Sequence, residues 1–185
     1  MRTRMLMAAI VVSLGMASST PLGGQAGPQR IARGWALAPT GLVKIHNYVG
    51  RVRVIGWARD SVDVTGTAAQ HLEFIGGGTR DAIKLGPDGG QRDPRDAADL
   101  VVRVPAGATV SVRGASTDID VEGLVNAVDV STVSGRISVR GGAQSITVES
   151  MDGAVVVSGS PTVLRGRTAS GTFSFDGTAV DLSVR

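Results

Sequence analysis

The sequence predicts an all-β chain: a parallel, single-stranded β-solenoid, β-helix-like, with coils of about 18 residues. Three observations carry this reading. Glycines recur at equal intervals through the second half, at Gly135, Gly153 and Gly171. Short runs of Val and Ile alternate with polar residues, the period-two signature of a half-buried strand. Aromatic residues make up only 3% of the 185-residue chain, so its core must come from small β-branched side chains, which suit thin repetitive sheets.

Taken in chain order, residues 1–26 read as a secretory signal peptide. Arg2 and Arg4 form a positive start, and an apolar run over 5–17 follows that is too short for a stable bilayer anchor. Gly24-Gln25-Ala26 offers a small-x-small cleavage site, and Gly15-Met16-Ala17 offers a second. An uncleaved N-terminal anchor is the alternative. Later apolar runs are broken by Arg, Asp or Gly within a few residues, so no stable membrane span is expected once the leader is cleaved. Residues 27–40 read as a lead-in or cap, with Trp35 placed to cover the first coil.

The repeat domain is expected over 41–185. Leu42, Val43 and Ile45 suggest an opening strand, and Val52 and Val54 lie in a strand bounded by Gly50 and Gly56. Val62 and Val64 follow as a second strand displaced by one residue. Residues 86–98 hold Pro87, Pro94 and several charges, and read as a surface loop between strands at 82–85 and 100–104.

The repeat is clearest from Thr117 onward. Laid out on the glycine spacing, Ile119, Ile137, Val155 and Phe173 share one offset, and Gly123, Gly141, Gly159 and Gly177 share another. A third offset holds Val128, Ile146, Leu164 and Leu182. The next apolar offset holds Val130, Val148 and Val184, with Gly166 as its exception. Each unit therefore contains two short strands, and a glycine closes the first where the chain must turn sharply. Stacked coils would set Asp118 beside Arg136, Glu122 beside Arg140 and Glu149 beside Arg167, which favours the register; Arg167 on Arg185 is a like pair. The last coil would present unpaired strand groups, which suggests weak end-to-end self-association.

These motifs resemble the bacterial putative-adhesin family, exported β-strand-repeat proteins of unknown function. The resemblance rests on Val52-Arg53-Val54-Ile55-Gly56-Trp57, on the run from Val102 to Val110 that contains Pro105-Ala106-Gly107, and on Val133-Ser134-Gly135-Arg136-Ile137-Ser138-Val139. It spans residues 42–185 and implies a β-helix-like fold and an envelope location. It brings no catalytic or binding residues. Met151-Asp152-Gly153 and Ala169-Ser170-Gly171 depart from the recurring Val-Ser-Gly.

Composition narrows the chemistry. The absence of cysteine excludes disulfides, thiolate metal sites, cysteine catalysis and a lipid-modified N-terminal cysteine. The pI near 10.2 reflects arginine content rather than a large field, because the net charge is +3 and two of the arginines lie in the leader. No basic run with interleaved aromatics points to nucleic acid. His46 and His71 are the only histidines, and no Gly-x-Ser-x-Gly elbow accompanies them. Gly76-Gly77-Gly78-Thr79-Arg80-Asp81 breaks the calcium nonapeptide pattern and occurs once.

Asp118 and Asp120 alternate on one strand, about 7 Å apart, and could serve acid–base catalysis or form a solvated, ion-paired face. Trp57 could stack on a sugar or cap the core. The reading that follows is an exported, non-enzymatic envelope or surface binding module, periplasmic or extracellular. It uses no cofactor or metal and meets an unknown protein or glycan partner. The alternatives are a self-assembling structural envelope protein and a β-helical carbohydrate-active enzyme using Asp118 and Asp120.

Overall fold

Alternation of buried valine and isoleucine with exposed polar residues sets most strands of the computed structural model, which describes residues 27–90 and 93–185. The leader assigned to residues 1–26 lies outside the described residues. The strands are β1 (Gln29–Ala36), β2 (Leu42–Trp57), β3 (Ser61–Ala68), β4 (Glu73–Gly78), β5 (Ala82–Asp88), β6 (Ala98–Pro105) and β7 (Thr109–Glu122). They continue as β8 (Ala127–Ser134), β9 (Ile137–Arg140), β10 (Ser145–Asp152), β11 (Val155–Gly159), β12 (Val163–Thr168), β13 (Phe173–Gly177) and β14 (Asp181–Val184). Among the described residues there is no α-helix; one 3₁₀ turn, Pro94–Asp96, is capped by Asp93, which accepts the Arg95 amide at 2.9 Å.

Two long strands organise the sheet. The first half of β2 pairs with β5 and with the start of β7, setting Val43 beside Ile83 and Val110. Its second half pairs with β6 and with the end of β7, setting Val52 beside Leu100 and Ile119. Two ladders therefore diverge from β2 and β7. One runs β4, β5, β2, β7, β8, β10, β12, β14, and the other runs β1, β3, β6, β2, β7, β9, β11, β13. Beyond β7 every pairing is parallel and displaced by one repeat: Ile119–Ile137–Val155–Phe173 in one ladder, Val128–Ile146–Leu164–Leu182 in the other.

The sheet is mixed rather than purely parallel. β1 with β3, β3 with β6, and β4 with β5 are antiparallel. The cause is local: the chain bends back at 58–60, where the Trp57 indole donates to the Ser61 carbonyl at 2.9 Å. Val62 and Val64 are thus buried in a strand antiparallel to β6, not in the second strand of a stacked coil. The expected loop at 86–98 is also shorter than its composition suggests. β5 continues through a buried Pro87 to Asp88, and β6 begins at a fully buried Ala98.

The inward positions of both ladders form one core. Val52, Val54, Ile119, Val121, Ile137, Val139, Val155 and Val157 meet Val43, Ile45, Val110, Val112, Val128, Val130, Ile146, Val148 and Leu164. Removing each such side chain from water contributes roughly 1.5–3 kcal/mol. Leu182 is different: it stands 52% exposed, because β14 pairs on one side only. Polar residues occupy the corner where the chain passes from one ladder to the other. The buried Asn47 side chain donates to the Ala98 carbonyl at 2.8 Å, and the Thr117 hydroxyl donates to the Asn47 carbonyl at 2.5 Å. Thr132, Ser150 and Thr168 stack at the same corner in later repeats. The Thr132 hydroxyl donates to the Ala115 carbonyl at 2.9 Å, and the Thr168 hydroxyl accepts the Gly171 amide at 3.0 Å, so these two satisfy backbone groups that a turning chain removes from the ladder.

A charged outer face as candidate functional site

In the second half of β2, burial of Val52 and Val54 turns Arg51 and Arg53 outward; in β7, burial of Ile119 and Val121 turns Asp118, Asp120 and Glu122 to the same face. The register brings opposite charges together. Arg51 lies between Asp99 of β6 and Asp118 of β7, and Arg53 lies opposite Asp120. Arg53 Nη2 bonds Glu122 Oε1 at 2.8 Å. Arg140, one repeat further, reaches Glu122 at 3.8 Å and Asp120 at 4.0 Å. Together with Arg136 and Asp152 these residues line an open groove of about 960 Å³.

Asp118 and Asp120 thus share a face, but each already meets a donor from the next strand. Asp118 Oδ1 accepts the Arg136 amide at 2.8 Å, so the expected Asp118–Arg136 contact is made through the backbone of Arg136. Asp120 faces the Arg140 guanidinium. Asp118 acts here as an acceptor that ties adjacent strands together, and Asp120 as a loose ion-pair partner of Arg140 at 4.0 Å. Among the described residues no group of three or more His, Asp or Glu side chains is placed to hold a metal ion.

The other singled-out residues are scattered. Trp57 carries the Arg59 guanidinium 5.1 Å above its ring, which occupies the surface a sugar would use. Trp35 packs on the core with its ring against the backbone of Gly76. His71 contacts Asp96 at 3.2 Å and ties the 3₁₀ turn down. His46 lies on the opposite ladder. Glu149 and Arg167 are register partners on β10 and β12.

Sequence reasoning missed the contribution of β2 to this face, because its partner in β7 lies far outside the period of the repeat. A signal was present: Arg51-Val52-Arg53-Val54 and Asp118-Ile119-Asp120-Val121 have the same alternation with inverted charge. The Arg113–Asp129 ion pair at 2.7 Å, on the other ladder, was missed as well. Exposed pairs of this kind are worth ~0.2–1 kcal/mol each. A double-mutant cycle on Arg53→Met and Glu122→Gln is therefore expected to give coupling in that range by urea denaturation, shrinking as salt is added. The face is a pattern of charge far more than a source of stability.

No protein-family model matches this chain, and no curated protein matches it. Among solved structures it is similar to a putative cell adhesion protein from Clostridium sporogenes ATCC 15579, with a TM-score of 0.54 and 8% identity over 85% of this chain and 97% of that one. The two chains share a fold. A putative adhesin from Bacteroides fragilis NCTC 9343 superposes with a TM-score of 0.38 and 11% identity over 84% of this chain and 96% of that one. Of these two, the C. sporogenes likeness bears on the architecture. With so few identical residues it speaks to how the strands are arranged and not to what the outer faces bind.

Proposed function

We propose that the chain is an exported, non-enzymatic binding module of the cell envelope or surface, built on a β-solenoid whose outer strands meet a polar protein or glycan partner. The observation that carries the reading is the outer face just described. Its acidic and basic side chains are held in register on a backbone that is hydrogen-bonded on both sides, so a partner meets fixed charges at little ordering cost. Two further points support it. The stacked register beyond β7 suits a rigid rod, and the C. sporogenes protein of similar fold is described as a putative cell adhesion protein. Among the described residues no helix is long and apolar enough to cross a membrane.

The test is binding of the purified mature protein to sedimented envelope fragments. Wild type is expected to co-sediment, and the Arg51→Gln/Arg136→Gln variant to bind at least fivefold more weakly with an unchanged melting temperature. Equal binding by the two would remove this face from the reading. Cleavage of any member of a glycan panel, abolished by Asp118→Asn/Asp120→Asn, would replace the reading with an enzymatic one.

Self-assembly is a second reading, favoured by the edge strands β13 and β14. Each pairs on one side only, and Val180, Leu182 and Val184 are 88%, 52% and 43% exposed. Sedimentation velocity at rising concentration separates the two: stacking yields rods that lengthen with concentration, and a monomeric binder keeps one coefficient.

A further inference from the structure

The ladder opposite the charged face carries a different arrangement. Its outer positions on β2 and β5 include Lys44 and Lys84, which are direct register partners on adjacent parallel strands. These two are the only lysines in the chain; every other fixed positive side chain is arginine. Both are exposed, because Val43, Ile45, Ile83 and Leu85 take the inward positions around them. Like charges directly opposite on paired strands weaken the pairing. Neither lysine has a carboxylate within ion-pair distance among the described residues. The charged face sets its arginines against carboxylates across the register; this pair is left uncompensated.

The surroundings form a recess. His46 follows Lys44 on the same face, with its imidazole laid over the backbone of Gly86. Burial, and then the Lys84 ammonium, hold its pKa below the ordinary histidine range, so at neutral pH it is an uncharged polar wall. Arg113 stands beside His46 and is neutralised by Asp129 at 2.7 Å. Asp88 also lines the groove, is its remaining acid, and partly offsets the lowering at His46. Tyr48 is 47% exposed and Ile75 40% exposed, and the hydroxyls of Thr109 and Ser111 border the floor. The space measures about 850 Å³, within the range of small-ligand clefts, roughly 300–1,000 Å³.

Each component selects a feature of the ligand. Two adjacent ammonium groups without a counter-ion call for an anionic group. An exposed tyrosine ring beside an aliphatic side chain suits the apolar face of a sugar ring, and the row of hydroxyls suits the sugar's own hydroxyls. We propose that this groove binds an acidic saccharide, with a carboxylate of the sugar held between Lys44 and Lys84 and a ring face resting on Tyr48. The site is separate from the Arg51–Arg140 face and does not depend on it.

Isothermal titration with tetragalacturonate tests the proposal, using a neutral glucan tetramer and sodium acetate as controls. Wild type is expected to bind the acidic tetramer and neither control. Lys44→Gln/Lys84→Gln should weaken binding at least tenfold and Tyr48→Ala severalfold, whereas Arg51→Gln/Arg136→Gln should leave it unchanged. Removing two facing cations relieves repulsion, so the double lysine variant should melt at the wild-type temperature or above, which separates lost binding from lost fold. Absence of binding to tetragalacturonate, equal binding of the neutral tetramer, or undiminished binding by the lysine variant would each overturn the proposal.

Discussion

Gly159→Ala is expected to destabilise the chain by about 3 kcal/mol, with a matching fall in the urea midpoint. Two effects combine at this position. Its φ is +134°, a conformation that side-chain-bearing residues rarely adopt, and forcing one into it costs roughly 1–3 kcal/mol. The added Cβ would also stand 2.1 Å from the carbonyl oxygen of Gly141 on the preceding repeat, where backbone meets backbone and neither side can yield. The position is one of a column, Gly123, Gly141, Gly159 and Gly177, in which each repeat leaves the second ladder at the same point. The control is Gly142→Ala. Its nearest neighbour would be the Ser160 carbonyl at 3.8 Å, an ordinary contact, so its effect should stay within about 0.5 kcal/mol. Similar losses at the two glycines would mean that adjacent repeats do not approach each other as closely as the glycine column requires.

How much of this was legible in the sequence depends on where each strand's partner lies in the chain. From β7 onward the partner is always one repeat away, so the stacking of Ile119, Ile137, Val155 and Phe173 could be read by aligning the chain with itself. Before β7 no such rule operates. β3 reverses direction after the bend that the Trp57 indole holds, and a period-two pattern is the same for parallel and antiparallel strands. Val62 and Val64 therefore carried the right burial and the wrong direction. Proline and charge in 86–98 signalled a loop, but Pro87 sits in a strand whose neighbour there is β4 alone, where a missing N–H is tolerated.

The candidate site was half legible. Asp118 and Asp120 could be placed on one face by alternation, whereas the arginines that face them come from β2, a strand whose distance along the chain follows no repeat. The Lys44–Lys84 pair was invisible for the same reason, since β2 and β5 are joined through a reversing segment.

Gly166 was the one exception in its apolar column, and its explanation yields the second large effect. Position 166 faces inward from β12, in the column of Val130 and Val148. A Cβ there would lie 2.4 Å from Cε2 and 2.7 Å from Cζ of Phe173, which projects inward from β13 on the other ladder. In the preceding repeats the same two positions hold Val130 with Ile137 and Val148 with Val155, two medium side chains in place of glycine and phenylalanine. The repeat thus keeps its core volume by exchanging size between its two strands, as close packing demands.

Gly166→Val should displace the Phe173 ring toward solvent and cost about 1–3 kcal/mol, the usual range for overpacking. Phe173→Val alone should leave a void beside Gly166 and cost about as much, since the ring is only partly buried. The double variant restores the valine pair of the repeat before it, Val148 with Val155, and should be more stable than the sum of the single losses by roughly 0.5–3 kcal/mol, a coupling measurable by urea denaturation. Such coupling requires side chains from β12 and β13 to occupy one interior. If the two losses simply add, the ladders do not share a core in this repeat.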